Sequence, residues 1–280
     1  MRFKRDGDRT VVGRLRYTLP LQAQTATPME DGSAYLLLLN PTGGILGGDR
    51  LLSRIVLDAR THACLSTPSA TRVYRSLGPP SVQETWIEVG AGATLEFMPD
   101  HVIPHAESRF RQHLSVELGR GSRAILFDAF AAGRLAHGEA WAFREFDSET
   151  RVFCSGSPLY LSRTKIEPPT RASQVDAPKS PGASDLRPTS LGIAEGFGYV
   201  ASLVMLADGF ENWQGVADAM HPTLATMPHI RAGASLLGGG GCVVRYLTMS
   251  AGDLVNATSA LWAAARKSLL ALPAFDLRKY

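Results

Sequence analysis

The sequence predicts a mainly β protein, with β-helix-like stacked sheets, a C-terminal α-helix and one further short helix. Three observations carry this. From about residue 33 to 165 the chain is a succession of short aliphatic and aromatic runs separated by Gly, Pro, Ser or Asp, the punctuation of strands. Three of these runs repeat one pattern about every 30 residues, a period in the range of stacked architectures. Towards the C-terminus the apolar residues change to a spacing of three and four, the period of a helix.

In order, the strand runs are SAYLLLLN, LLSRIVLDA, HACLST, VQETWIEV, ATLEFMP, HLSVEL, RAILFDAF and RVFCSGSPLYLS. VQETWIEV sets Val82, Glu84, Trp86 and Glu88 against Gln83, Thr85, Ile87 and Val89, so one face of this strand is expected inside. The repeat aligns IVLDARTHACLSTP (55–68), IEVGAGATLEFMP (87–99) and VELGRGSRAILFD (116–128). Each copy is a strand, a turn of small residues and a second strand. Such a unit buries its apolar face only on its neighbours; the alternative is three ordinary hairpins in a sandwich.

Residues 167–190, EPPTRASQVDAPKSPGASDLRPTS, hold almost no large apolar side chains. They are expected to form a flexible surface loop within a single domain of 1–280. Beyond them GYVASLVMLA reads as a strand. NWQGVADAMHPTLATM reads as a short helix ended by Pro222, and ASLLGGGGCVVRYL as a strand, a glycine turn and a strand. The final helix opens at Ser250, an N-cap with Asp253 three residues on. Leu254, Ala257, Leu261, Ala265 and Leu269 form its stripe with Trp262. Arg266 and Lys267 suit the helix dipole, and Pro273 ends it.

The 280 residues are 45% hydrophobic and 20% charged, enough apolar material for a sizeable core. The net charge of +3 is spread along the chain and gives no basic footprint for nucleic acid. Cys64, Cys154 and Cys242 are widely spaced without a CxxC, so a reducing, cytoplasmic location is expected. The opening MRFKRDGDRTVVG lacks the apolar core of a secretory signal. No apolar run reaches the roughly 18 residues of a membrane span.

The segment NPTGGILGGDR (40–50) holds the pairs Gly43-Gly44 and Gly47-Gly48 before Asp49 and Arg50. In a phosphate loop a Lys would stand where Asp49 stands, followed by Ser or Thr. The spacing departs from the dinucleotide fingerprint as well. A sharp corner between sheet layers accounts for the pairs, since glycine admits positive φ and close backbone packing. GxSxG and HExxH are absent. His101 and His105 stand four apart near Asp100 and Glu107, but Pro104 argues against the helix that would make them a ligand pair. His62 and Cys64 share one face of a strand and would suit nickel or zinc. An open, transient metal site is expected ahead of a closed one. On residue chemistry alone, a binding or scaffold protein is favoured over an enzyme.

The stretch NPTGGILGGDRLLSRIVLDARTHACLSTPSATRVYRS (40–76) resembles the signature of the urease accessory protein UreD family, also called UreH. Gly44, Gly47, Gly48, Asp49, Thr67, Ala70, Thr71, Tyr74, Arg75 and Ser76 match its GGD and TxxATxxYRS elements. LEFMPDHVIPHAESRF (95–110), AAGRLAHGEAWAFREF (131–146) and VVRYL…ALWAAARKSLLALP (243–273) resemble further family segments in order. Asp100-His101 stands where the family carries Gln-Glu.

The resemblance implies a non-enzymatic, mainly β protein with β-helix-like stacking and a pair of helices. It implies binding to apo-urease and to two accessory proteins, the helical UreF and the GTPase UreG, for delivery of nickel to urease. No tightly bound cofactor is implied; nickel(II) passes transiently through an internal passage. Such a conduit needs weak, successive oxygen or nitrogen ligands. Asp49, Asp58, Glu96, Asp100, His101 and Asp128 are the candidates. Gly43, Gly44, Gly47, Gly48, Arg50, Thr71, Tyr74 and Arg75 form the accompanying structural motif. Two other functions stay open: a β-solenoid hydrolase acting through Asp49 or the His101/His105 segment, and a metallochaperone that stores nickel itself.

Overall fold

The computed structural model of the chain describes residues 1–168 and 194–277. Its backbone winds back and forth between two sheets. In chain order the strands are β1 (Arg2–Asp6), β2 (Arg9–Arg14), β3 (Gln22–Ala23), β4 (Thr27–Pro28), β5 (Ala34–Leu39), β6 (Arg50–Leu57), β7 (His62–Ser66), β8 (Thr71–Val73) and β9 (Ser81–Val89). They continue as β10 (Thr94–Met98), β11 (Val102–Pro104), β12 (Arg109–Leu118), β13 (Arg123–Ala131), β14 (Glu145–Cys154), β15 (Ser157–Ile166), β16 (Tyr199–Ala207), β17 (Arg231–Leu236) and β18 (Gly241–Thr248). The first sheet has the order β15-β14-β12-β9-β6-β1-β2. The second runs β17-β18-β16-β13-β10-β7-β5-β3, with β4, β8 and β11 alongside.

The sequence repeat is a stack of coils, not a set of hairpins. β6, β9, β12 and β14 are parallel in the first sheet, and β5, β7, β10 and β13 in the second. Leu57 stands beside Val89, and Val89 beside Leu118. After the turn, His62 stands beside Thr94 and Thr94 beside Arg123. Each coil therefore lays one strand on each sheet and sets equivalent side chains in rows. The row Ile55–Ile87–Val116–Val152 faces the row Leu36–Leu65–Phe97–Leu126, and both belong to one buried cluster. Each such aliphatic side chain contributes roughly 1.5–3 kcal/mol on burial.

The other face of the second sheet is covered by α1 (Trp213–Ala225) and α2 (Ala251–Ala265). There Leu203, Met205 and Val244 share a cluster with Val216, Met220 and Leu261. A third cluster, with Phe110, Phe130, Phe143 and Phe146, fills one end of the sandwich. Among the described residues no helix is long and apolar enough to cross a membrane.

Several local expectations are corrected. α1 runs through Pro222 to Ala225. Pro222 is exposed in the last turn, so the carbonyl it leaves without an N–H donor, that of exposed Asp218, can face water. The Ser250 cap forms as expected: its Oγ accepts the Asp253 N–H at 3.1 Å. α2 then passes into a π-helical turn, Arg266–Leu270, and stops at Ala271 in the left-handed conformation, before Pro273 is reached. Arg266 does not face solvent as a helix-end cation but is wholly buried. RVFCSGSPLYLS folds as a hairpin, turning at Ser155 and Gly156 between β14 and β15. A hairpin also precedes residue 33, where Gly7 and Asp8 turn the chain between β1 and β2. Of the 167–190 segment, residues 169–190 lie outside the described residues.

Candidate functional site

The rows of the first sheet change character along the strands. Two residues before the row Ile55–Ile87–Val116–Val152 comes Ser53–Thr85–Leu114–Thr150, and two before that Leu51–Gln83–Gln112–Ser148. On the second sheet the chain continues past Leu65, Phe97 and Leu126 into Thr67, Pro99 and Asp128. Polar groups thus enter both inner faces, interspersed with Leu51, Leu114 and Pro99. Between the sheets there lies a partly open cavity of about 600 Å³, lined among others by Gln83, Thr85, Gln112, Thr150, Asp100 and Asp128.

Asp128 lines the cavity together with Asp100, Arg16, Arg50, Arg54 and Arg72. Gln112 Nε2 donates to its Oδ1 at 2.8 Å, and the Ser148 hydroxyl donates to its Oδ2 at 3.1 Å. Gln112 Nε2 also lies 2.8 Å from Ser148 Oγ. Enclosure by protein pushes the Asp128 carboxyl above the ordinary carboxylate range; the bonds from Ser148, Gln112 and the Ala129 N–H oppose this only in part. Asp128 enters no ion pair among the described residues. A carboxylate in this position is costly to ionise alone.

A second cavity, of about 300 Å³, lies between the second sheet and the C-terminal segment, lined by Asp100, His101, Thr258 and Asp276 among others. Pro99, Asp100 and Phe127 line both cavities, so a single layer of side chains divides them. The Asp100 N–H donates to Thr67 Oγ1 at 2.8 Å. The His101 ring stands edge-on to Tyr199, with centroids 5.4 Å apart.

The structure therefore brings Asp100 together with Asp128 on one cavity and with His101 on the other. It does not bring Asp49, Asp58 or Glu96 to either. Asp49 Oδ2 accepts the Leu46 N–H at 2.8 Å and closes a turn. Asp58 pairs with Arg2 at 2.7 Å. Glu96 is fully buried on the helix side of the second sheet. It accepts Trp262 Nε1 at 2.6 Å and Arg266 Nη1 at 2.5 Å, and lies 2.7 Å from His62 Nε2. Arg266 also reaches Asp31. This network fastens α2 and its terminal turn to the stack. Among the described residues no group of three or more His, Cys, Asp or Glu gathers as a metal cage.

The glycine motif is a corner. Residues 40–50 carry the chain from β5 in the second sheet to β6 in the first. The Ile45 N–H donates to the Arg72 carbonyl, and the Tyr74 N–H to the Ile45 carbonyl, each at 2.8 Å. A Cβ on Gly44 would stand 2.6 Å from the Arg72 carbonyl oxygen, and one on Gly47 2.8 Å from Ser76 Cα. Only glycine lets the corner lie this close to the Thr71–Ser76 segment. The Tyr74 hydroxyl donates to the Gly43 carbonyl at 3.3 Å, and Arg50 lines the larger cavity.

Gln112 and Ser148, which hold Asp128, belong to no motif in the sequence. The available signal was a polar residue on the inward parity of an otherwise apolar strand.

Comparison with known proteins follows the same direction. The family model described as UreD urease accessory protein matches residues 1–279. A urease accessory protein UreD of Cupriavidus metallidurans is 32% identical over 285 residues, covering 99% of this chain and 92% of that protein. One of Haloarcula marismortui is 31% identical, covering 99% and 88%. One of Ralstonia nicotianae is 38% identical over 166 residues, which are 59% of this chain and 56% of that protein; this match spans little more than half of the relative's length.

Proposed function

The chain belongs to the UreD urease accessory protein family and so has a role in urease maturation, and from that premise we propose that it acts as a non-enzymatic scaffold for nickel insertion. It binds apo-urease and joins a UreF-like helical protein and, through it, a UreG-like GTPase. The absence of a phosphate loop in the sequence accords with leaving nucleotide hydrolysis to that partner. Nickel(II) is cargo and passes through the interior of the sandwich.

The observation that supports this reading is Asp128, a carboxylate that enters no ion pair among the described residues and lines the cavity between the two sheets. A cavity of about 600 Å³ has room for on the order of twenty waters at their liquid volume, so a hydrated ion fits. One carboxylate with neutral amide and hydroxyl neighbours offers a weak site, from which an ion leaves readily; a closed cage would retain it. Asp100 supplies the next oxygen ligands, at the partition with the second cavity.

The test is co-expression of tagged chain with apo-urease subunits and the helical accessory protein, followed by affinity capture and size exclusion. Co-elution is expected. A folded chain that captures neither would overturn the scaffold. Asp128→Asn combined with Asp100→Asn is expected to keep the complex and lower the nickel content of urease; full nickel loading would remove the passage from the proposal.

A further inference from the structure

The wall of the larger cavity carries polar groups that the protein leaves unmet. Ser53 of β6 stands beside Thr85 of β9, and Gln83 lies two residues before Thr85 on the same inner face. All three line the cavity. Thr85 is only 6% exposed, yet its hydroxyl meets no hydrogen-bond partner among the described residues. The same holds for the Ser53 hydroxyl and the Gln83 amide. Buried polar groups in folded proteins are as a rule paired, so this cluster calls for an occupant.

Water is one occupant, since the cavity has room for it. Water does not answer the charge. Four arginines and two aspartates line the cavity. Arg54 pairs with Glu88 at 2.6 Å. Arg16, after β2, Arg50, at the start of β6, and Arg72, in β8, are exposed and enter no ion pair among the described residues. The acid next to Arg50 is already engaged, because Asp49 Oδ2 accepts the Leu46 N–H at 2.8 Å. Asp128 is held by neutral groups, and burial disfavours its charged form. The lining therefore sets an excess of positive charge at its rim over a wall of neutral donors.

These are the two components of an oxyanion site. Guanidinium groups take an oxyanion bidentately through charge-assisted bonds. Hydroxyl and amide groups in a concave, partly shielded wall fix its orientation. Chloride answers the charge but has no oxygens to match that set of donors.

We propose that Ser53, Gln83 and Thr85, with Arg50 and Arg72 at the rim, bind a small free oxyanion in this cavity. Its role rests on the passage reading above: a bound oxyanion neutralises guanidinium groups that repel an entering nickel(II) ion, and it adds weak oxygen ligands inside the same cavity.

The test follows thermal melting of the full chain at constant ionic strength, with sodium acetate or sodium sulfate replacing sodium chloride. Acetate presents a planar oxyanion and sulfate a tetrahedral one. The wild type is expected to melt higher in at least one of them along a saturating curve, by about 3–6 °C once the anion stands roughly tenfold above its dissociation constant. Thr85→Val removes a hydroxyl that no protein group needs. It is expected to melt in chloride as the wild type does and to weaken anion binding about tenfold, the loss of one hydrogen bond to a charged group. Arg50→Gln is expected to weaken it likewise; if that variant melts early in chloride, Thr85→Val carries the test. A shift that rises without saturating, or that is as large in both variants as in the wild type, is the general effect of salts on burial and would overturn the site. Both variants should still capture apo-urease with the helical accessory protein. Capture by the wild type without an anion effect removes the site and leaves the scaffold. An anion effect without capture keeps the site and removes the scaffold.

Discussion

Replacing Arg266 with Met removes a buried cation while keeping most of the apolar length of the side chain. In the intact protein this guanidinium is completely enclosed and reaches two carboxylates, Glu96 at 0% and Asp31 at 12% side-chain exposure. Its Nε donates to the Pro273 carbonyl at 2.8 Å. Its central carbon lies 4.7 Å from the Phe275 ring centre and 5.4 Å from that of Trp262. Arg266→Met strands Glu96 with only Trp262 and His62 as partners. Removing one member of a buried ion pair costs about 3–5 kcal/mol. A cation that merely complements a helix end contributes roughly 0.3–1 kcal/mol. At roughly 2–4 °C per kcal/mol for a large domain, the buried network predicts a fall in Tm of about 6–20 °C, and the helix-end role at most about 4 °C. Thermal and urea unfolding followed by circular dichroism at pH 7 separates these ranges. The double variant Glu96→Gln/Arg266→Met, which leaves no stranded charge in the sheet, is expected to recover part of the loss. A single variant within about 1 kcal/mol of wild type, or a double variant as unstable as the sum of the two singles, would refute the network.

Asp128 and the glycine corner give two further expectations. Asp128 has its folded pKa raised above the ordinary 3.8, so its ionisation favours the unfolded chain. Its stabilising protonated form is lost progressively as pH rises from about 4 through the folded value. Asp128→Asn should therefore gain on wild type between pH 4 and pH 7 in urea titrations; a relative loss over that interval would contradict the burial of an uncompensated carboxylate. Gly44→Ala and Gly47→Ala are each expected to cost about 1–3 kcal/mol through overpacking. Gly233→Ala, where an added Cβ meets nothing within 4 Å, should stay within about 0.5 kcal/mol. Equal effects at all three positions would remove the close-packing account of the corner.

The strands, the stacking repeat and the Ser250 cap are written in local order. A period of two, a period near 30 and a hydroxyl three residues before an acid each depend only on neighbours along the chain. The family signature is legible for the same reason, since it lies in contiguous stretches such as residues 40–50 and 67–76. Pro222 shows where local signals fail: whether a proline ends a helix depends on whether the carbonyl it frees can reach water, and Asp218 is exposed. Glu96 and Arg266 show the larger failure. They are 170 residues apart, and nothing in either neighbourhood marks one as the other's partner. Asp128 likewise becomes an isolated carboxylate only because the register of the stack puts Gln112 and Ser148, neutral groups, opposite it. The coils and their apolar rows are legible along the chain, because each row draws on the periodic pattern of single strands. Which rows face each other depends on contacts between strands distant in the chain, and those contacts fix where the sandwich is filled and where a cavity remains.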